Sequence, residues 1–139
     1  MIRSIVFTTL AAAGFAAAAQ QAMEPGEWEL TTTMTSPMLP QPQTATVRHC
    51  IQAQDLADPS RWMGGSPPGS DCKLTPLERD ANGASWEMAC PSSGFKGRGR
   101  ARFAAGMMDS EMQMSGVQDG RKFEMQTRTR GQRLGPCKS

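Results

Sequence analysis

The four cysteines of this chain, Cys50, Cys72, Cys90 and Cys137, are its strongest candidates for covalent chemistry. No two of them have the Cys-x-x-Cys spacing of zinc and redox sites, and an even number of cysteines implies disulfides if the chain is exported, as its first 19 residues, described below, indicate. Three pairings are possible: Cys50–Cys137 with Cys72–Cys90, Cys50–Cys72 with Cys90–Cys137, or Cys50–Cys90 with Cys72–Cys137. We favour the first, because it closes one hairpin and ties the C-terminal tail to an early strand.

The single histidine, His49, immediately precedes Cys50. On a regular strand two consecutive side chains point to opposite faces, so a nucleophile and base, or half of a metal site, would need a bulge there. No serine lies in a Gly-x-Ser-x-Gly elbow. We therefore expect a protein without enzymatic activity, catalytic residues or a cofactor.

Methionine is unusually frequent, with 11 residues in the chain. Thioethers can bind Cu(I) in an exported protein. The candidate copper cluster is Met107, Met108, Met112 and Met114. However, Met112 and Met114 alternate with polar residues, as core positions of a strand do, and methionine fills cores where aromatics are few. We favour core packing and expect no metal site.

A stripe of cations stands at every second position of one predicted strand: Lys96, Arg98, Arg100 and Arg102. Four cations on one face, spanning roughly 20 Å, could follow the phosphates of lipopolysaccharide, anionic lipid or nucleic acid. No aromatic residue lies between them for base stacking, so we expect no nucleic-acid partner. Glu111 and Glu124 could pair with the stripe across the sheet, which favours a solvated face.

The opposite face of that strand carries small residues, which either let a sheet bend or leave room for a ligand in a half-closed barrel. The candidate ligand face comprises Trp28, Leu30, Trp86, Met88, Gly97, Gly99, Met112, Met114, Phe123 and Met125. The leading hypothesis is a binding module for an apolar or amphiphilic ligand, or an envelope partner, on this concave face. The alternative is a structural or protein-interaction module whose face is filled by its own side chains, and a periplasmic enzyme or a methionine-based copper binder comes third.

Residues 1–19 have the features of a cleaved signal peptide. Arg3 precedes a short apolar run, and Ala17-Ala18-Ala19 stands before Gln20. The run is shorter than the roughly 18 apolar residues of a membrane anchor, and no cysteine at the cleavage site could carry lipid. These features predict a periplasmic protein with a single domain over residues 20–139. Its net charge is about +1, since loss of Arg3 reduces 15 Lys and Arg to 14 against 13 acidic residues.

Alternation of apolar and polar residues predicts an all-β protein: about seven antiparallel strands in a strongly curved, meander-like sheet or incomplete barrel, stapled by disulfides. The predicted strands include 27–34, 44–50, two strands between Cys72 and Cys90, 97–103, 110–115 and 122–130. Asp119-Gly120 is the predicted turn between the last two. Residues 51–71 form a long loop, with one or two helical turns within 52–58.

The hairpin from Cys72 to Cys90 can form in two registers. A two-residue turn at Asn82-Gly83 pairs residue 81 with Ala84 and separates the cysteines. A loop from residue 80 to 83 pairs Arg79 with Ala84 and brings Cys72 within one position of Cys90. A disulfide between these cysteines therefore requires the longer loop or a bulge.

Several landmarks together resemble the DUF3617 family of exported bacterial proteins. They are Pro25-Gly26-x-Trp28-Glu29, the Val-Arg-x-Cys strand that ends at Cys50, Cys72-Lys73, Trp86-x-x-x-Cys90 and Gly135-Pro136-Cys137. The resemblance covers essentially the whole chain after the signal peptide. It implies a domain of unknown function found mainly in proteobacterial envelopes, and it supplies no catalytic residues.

Overall fold

The computed structural model describes residues 23–57, 70–80 and 82–138, and these form one antiparallel sheet with one short helix. The elements are β1 (Gly26–Thr35), β2 (Gln43–Ile51), α1 (Ala53–Ala57), β3 (Lys73–Asp80), β4 (Gly83–Cys90), β5 (Phe95–Ala104), β6 (Met107–Gln118) and β7 (Arg121–Gly135). The predicted all-β fold of seven strands is confirmed. The predicted signal peptide, and residues 58–69 of the predicted loop, lie outside the described residues.

The strand order is β2-β1-β7-β6-β5-β4-β3. Strands β3 to β7 form the predicted meander, and β1 pairs with β7 at the far end of the chain, with Thr32 opposite Thr129. The sheet does not close, because β2 and β3 occupy its two edges. This arrangement fits an incomplete barrel.

Strands β6 and β7 extend well beyond the predicted segments. The turn between them is the predicted Asp119-Gly120, with φ angles of 51° and 74°, the left-handed conformation that a tight hairpin requires. Gly116 and Gly131 interrupt the apolar alternation but not the pairing, since Gly116 lies opposite Phe123 and Gly131 opposite Met108. Glycine in a strand marks a close approach by a neighbouring side chain, and both glycines have such a neighbour, described below.

The sequence predicts that the hairpin disulfide needs either the longer loop or a bulge, and the β3–β4 hairpin has both the corresponding register and a bulge. Arg79 pairs with Ala84, which is the second of the two predicted registers. A bulge between Pro76 and Glu78 then shifts the pairing by one residue, so that Lys73 lies opposite Ala89. Continuing this register places the two cysteines of the hairpin directly opposite each other.

Two disulfides are present, Cys50–Cys137 and Cys72–Cys90, with Cα–Cα distances of 5.4 Å and 3.9 Å. They are the first of the three pairings that the sequence allows. Disulfides persist in oxidising compartments, so they indicate an extracellular or periplasmic protein. In the part of the chain that the structure describes, no helix has the length and apolar character needed to cross a bilayer.

The main core lies where β1 begins and β2 ends. It consists of Met23, Trp28, Ile51 and Met108, with Leu30, Leu56 and Phe103 packed against it. Trp28 is 0% exposed, and its indole N–H donates to the carbonyl of Glu24 over 3.0 Å. This bond gives a partner to the indole N–H, the one polar group of the ring, which burial would otherwise leave without a hydrogen bond. Helix α1 lies within the predicted segment 52–58 and contributes Leu56.

Candidate functional site

Glycines on the inner face of the sheet leave space that neighbouring side chains occupy. A Cβ atom at Gly99 would lie 2.2 Å from the indole ring of Trp86, so the ring rests directly on the glycine backbone. Trp86 is only 4% exposed as a result. A Cβ at Gly116 would lie 2.1 Å from the ring of Phe95, which also packs 5.7 Å from the ring of Phe123. At these positions the inner face is filled by the protein itself.

Gly131 leaves the same kind of space for side chains of the main core. A Cβ there would meet Leu30 at 2.9 Å and both Met108 and Trp28 at 3.3 Å. The small residues therefore allow large side chains to pack against the strand backbone, which explains how a chain with few aromatics fills its core.

Gly97 is different, because no aromatic ring covers it. It lies in a cross-strand row in which Met88 pairs with Gly97, Gly97 with Met114, and Met114 with Met125. A Cβ at Gly97 would meet the methionine atoms Met114 Cγ at 3.2 Å and Met112 Cε at 3.4 Å. The row is a run of flexible thioether side chains beside a glycine that only methionine side chains and the backbone oxygen of Gln113 approach.

This row lines an open groove of about 1100 Å³. The groove crosses the sheet at one level, from Thr75 on β3 to Ser36 and Pro37 just beyond β1. Its volume is comparable to sites that hold small organic ligands, about 300 to 1000 Å³. Its apolar lining includes methionine, a side chain that adapts its shape to irregular surroundings.

Charged residues flank the methionine row along the strands that form the groove. Lys96, Arg98, Glu87 and Glu124 are all part of its lining. Arg98 forms an ion pair with Glu87 over 2.9 Å. Among the described residues, Lys96 makes no ion pair. Each of these four residues is the strand neighbour of Met88, Gly97 or Met125, so its side chain points to the outer face and the methionine row is what faces the groove.

The predicted ligand face divides into three parts. Met88, Gly97, Met114 and Met125 line the groove. Trp28 and Leu30 belong to the core, and Trp86 covers Gly99. Met112 approaches Gly97, and Phe123 packs on Phe95. The sequence pattern placed these side chains on one face. It carried no information on which of them pack against other side chains of the protein and which line the groove.

Sequence reasoning missed the two ends of the groove, formed by Thr75 and by Ser36 and Pro37. The prolines after β1 indicated only a loop. This loop lies beside Met125 because Thr35 pairs with Gln126 of β7. That pairing joins distant parts of the chain, so no local sequence pattern predicts it.

The cationic stripe is partly neutralised on the outer face. Arg98 pairs with Glu87, and Arg100 lies 2.7 Å from Glu111 on the neighbouring strand. Arg128 contacts the same carboxylate. Hydrogen bonds from Arg128 and Arg100 lower the pKa of Glu111 from 4.5 to about 2. The predicted pairing with Glu111 is therefore present, while Lys96 and Arg102 make no ion pair in the described part of the chain.

The remaining candidates do not form a site. Met107 and Met108 alternate, with Met107 60% exposed and Met108 buried in the core, so the four methionines of the candidate copper cluster do not share one face. His49 lies opposite Trp28, and the adjacent Cys50 is bridged. Within the described ranges, no three His, Cys, Asp or Glu residues are grouped as metal ligands would be.

The fold and groove define a disulfide-bonded all-β protein of an extracellular or periplasmic compartment, built on one open sheet. The chain belongs to the DUF3617 family, described as a protein of unknown function, whose profile matches residues 23–137. No match was found among curated proteins or among solved structures.

Proposed function

We propose that this protein is a periplasmic, non-enzymatic binding module that holds an apolar or amphiphilic ligand in the groove across its sheet. The observation that carries the proposal is the row of Met88, Gly97, Met114 and Met125 along an open groove of about 1100 Å³. Residues 1–19 serve as the cleaved signal peptide in this proposal.

The groove differs from the rest of the inner face in being lined but not filled. Aromatic rings approach Gly99, Gly116 and Gly131, whereas only methionine side chains and the backbone oxygen of Gln113 approach Gly97. Burial of apolar surface gives about 25 cal/mol per Å², so an alkyl chain in contact with these methionines has a clear driving force.

Binding without catalysis is supported by the state of the cysteines. Both pairs are bridged, and the structure contains no free cysteine in its described residues. Cysteine, the strongest type of nucleophile in this sequence, is therefore present only in disulfides among the described residues. His49 stands on edge strand β2, which contributes no residue to the lining of the groove.

A second candidate function is an interaction module that needs no ligand. The observation in its favour is the self-filled part of the inner face, where Trp86 covers Gly99 and Phe95 covers Gly116. In this case the groove would hold only water, and the outer surfaces would carry the function.

Binding of phenylnaphthylamine, a probe that fluoresces in apolar surroundings, tests the groove. Met114→Lys places a charge in the methionine row and should abolish the fluorescence gain. Met107→Lys is the matched control, because Met107 is exposed and does not line the groove. Met107→Lys should bind like the unaltered protein. Equal probe binding by all three proteins would exclude the groove as the site.

A further inference from the structure

The two edges of the sheet are built very differently. Edge strand β3 contains Pro76, the bulge at Pro76–Glu78 and four charged residues: Lys73, Glu78, Arg79 and Asp80. Prolines, bulges and charges are the devices by which proteins prevent another strand from pairing with an edge. This edge is protected.

Edge strand β2 has no proline, no bulge and a single charged residue. It is nine residues long without proline, and its one Lys or Arg, Arg48, is held by Glu29 over 3.0 Å. Residues 43–49 are all exposed. Among the described residues β2 pairs only with β1, so its outer edge presents backbone donors and acceptors to solvent.

We propose that β2 pairs with β2 of a second copy of this chain, antiparallel about Thr46, to form a two-fold dimer with a continuous sheet. The exposed stretch Gln43–His49 is centred on Thr46, so this register uses all of it. A strand that pairs with itself about a two-fold axis makes an interface of the closed type most common in soluble oligomers.

The side chains on both faces fit this register. On the inner face, Ala45 lies opposite Val47 of the other copy, which covers a valine that is 56% exposed in one chain. On the outer face, hydroxyl contacts of 3.1 Å join Thr31 to Thr46 and Thr33 to Thr44. The two Thr46 residues meet on the axis and continue this row of threonines across the dimer.

The charges also favour a second copy. In this register each Arg48 lies opposite Thr44 of the other copy, and like charges are not placed opposite each other. Each arginine keeps the carboxylate of Glu29 as its partner. A second copy therefore meets no repulsion on this edge.

Sedimentation equilibrium on the mature chain tests the dimer. The unaltered protein should shift from monomer to dimer with rising concentration. Thr46→Lys should remain a monomer, because charge on an edge opposes pairing. Leu77→Lys on β3, at a position 52% exposed, is the matched control and should dimerise normally. A protein that is monomeric at every concentration, or a dimer unaffected by Thr46→Lys, would overturn the proposal.

Oxidative crosslinking tests the register. Directly opposed residues of antiparallel strands have Cα atoms about 4.5 to 5.5 Å apart, within disulfide range. Thr46→Cys should therefore form a covalent dimer. Thr44→Cys is the control on the same face of the same strand. Its counterpart in the other copy is displaced by four residues, about 13 Å along the strand, and should not crosslink. Crosslinking at Thr44 but not at Thr46 would contradict this register.

Discussion

At the scale of single residues, the most consequential contact is the indole of Trp86 on the backbone of Gly99. Trp86 is buried by this contact, and a Cβ at Gly99 would overlap the ring. The sequence indicated that Gly99 faced inward but not that a neighbouring ring occupied the space. Small inward residues are compatible with a bent sheet, with a bound ligand, or with an aromatic ring packed on the glycine. The cross-strand pairing of Trp86 with Gly99 is what identifies the third of these explanations.

Gly99→Ala should therefore destabilise the fold by about 1 to 3 kcal/mol, the usual cost of overpacking. Gly97→Ala should have a smaller effect. Its Cβ would meet a backbone oxygen at 3.0 Å and flexible methionine side chains, and alanine in a strand gains about 0.5 to 1 kcal/mol over glycine. Urea unfolding of both variants measures the difference.

The double variant Gly99→Ala with Trp86→Phe isolates the contact. The smaller ring should recover part of the loss relative to the sum of the single variants. If Gly99→Ala is as stable as the unaltered protein, the ring does not rest on Gly99.

The carboxylate of Glu111 makes the stability of the folded protein depend on pH. Its pKa in the folded protein is about 2, against an ordinary value of 4.5, because Arg128 and Arg100 bind its charged form. A lowered folded pKa stabilises the protein above pH 4.5, and this contribution is lost as the pH falls towards 2. Glu111→Gln should therefore lower the melting temperature at pH 7, and the difference from the unaltered protein should shrink to nothing near pH 2.

The double variant Arg100→Gln with Arg128→Gln provides a second test of the same linkage. It removes the groups that lower the pKa, so the carboxylate of Glu111 should titrate near 4.5 by NMR. A melting-temperature difference for Glu111→Gln that is independent of pH would contradict the role of the ion pairs.

At the scale of elements, the two disulfides hold the sheet at different places. Cys72–Cys90 closes the β3–β4 hairpin across 18 residues, and Cys50–Cys137 joins the end of β2 to the C-terminal tail across 87. The hairpin end is also fastened by Asp71, whose carboxylate accepts hydrogen bonds from the backbone N–H and hydroxyl of Ser92 over 2.8 and 2.7 Å.

Replacing each cysteine pair by alanine should have unequal effects. Loop-closure entropy predicts a loss of about 3 kcal/mol for Cys72–Cys90 and about 4 to 5 kcal/mol for Cys50–Cys137. Denaturant unfolding of the two double variants under identical conditions measures both. A larger loss for the hairpin disulfide would show that strand geometry, and not chain entropy, dominates.

The elements themselves were largely predictable from the sequence. Alternation located the strands, and Asp119-Gly120 located one turn, because both depend on neighbouring residues. The β1–β7 pairing and the bulge at Pro76–Glu78 were not predicted. The first joins residues about 100 positions apart, as in Thr32 with Thr129, and the second depends on where the disulfide fixes the register.

At the scale of the whole molecule, the open sheet separates two surfaces with different roles in our proposals. Met88, Gly97, Met114 and Met125 form the inner groove, and β2 forms the unprotected edge. These surfaces lie on different strands, so their functions can be tested independently. Loss of dimerisation by Thr46→Lys should leave probe binding in the groove unchanged, which fluorescence titration of that variant measures.

Native mass spectrometry of the protein, purified gently from the envelope of its own host, tests the central claim most directly. A binding module should show a discrete mass in excess of a chain that begins at Gln20 and contains two disulfides. That excess should disappear on denaturation and be absent from Met114→Lys, while Met107→Lys retains it. A bare chain under native conditions, identical in mass to the denatured protein, would contradict the binding function and favour the interaction module.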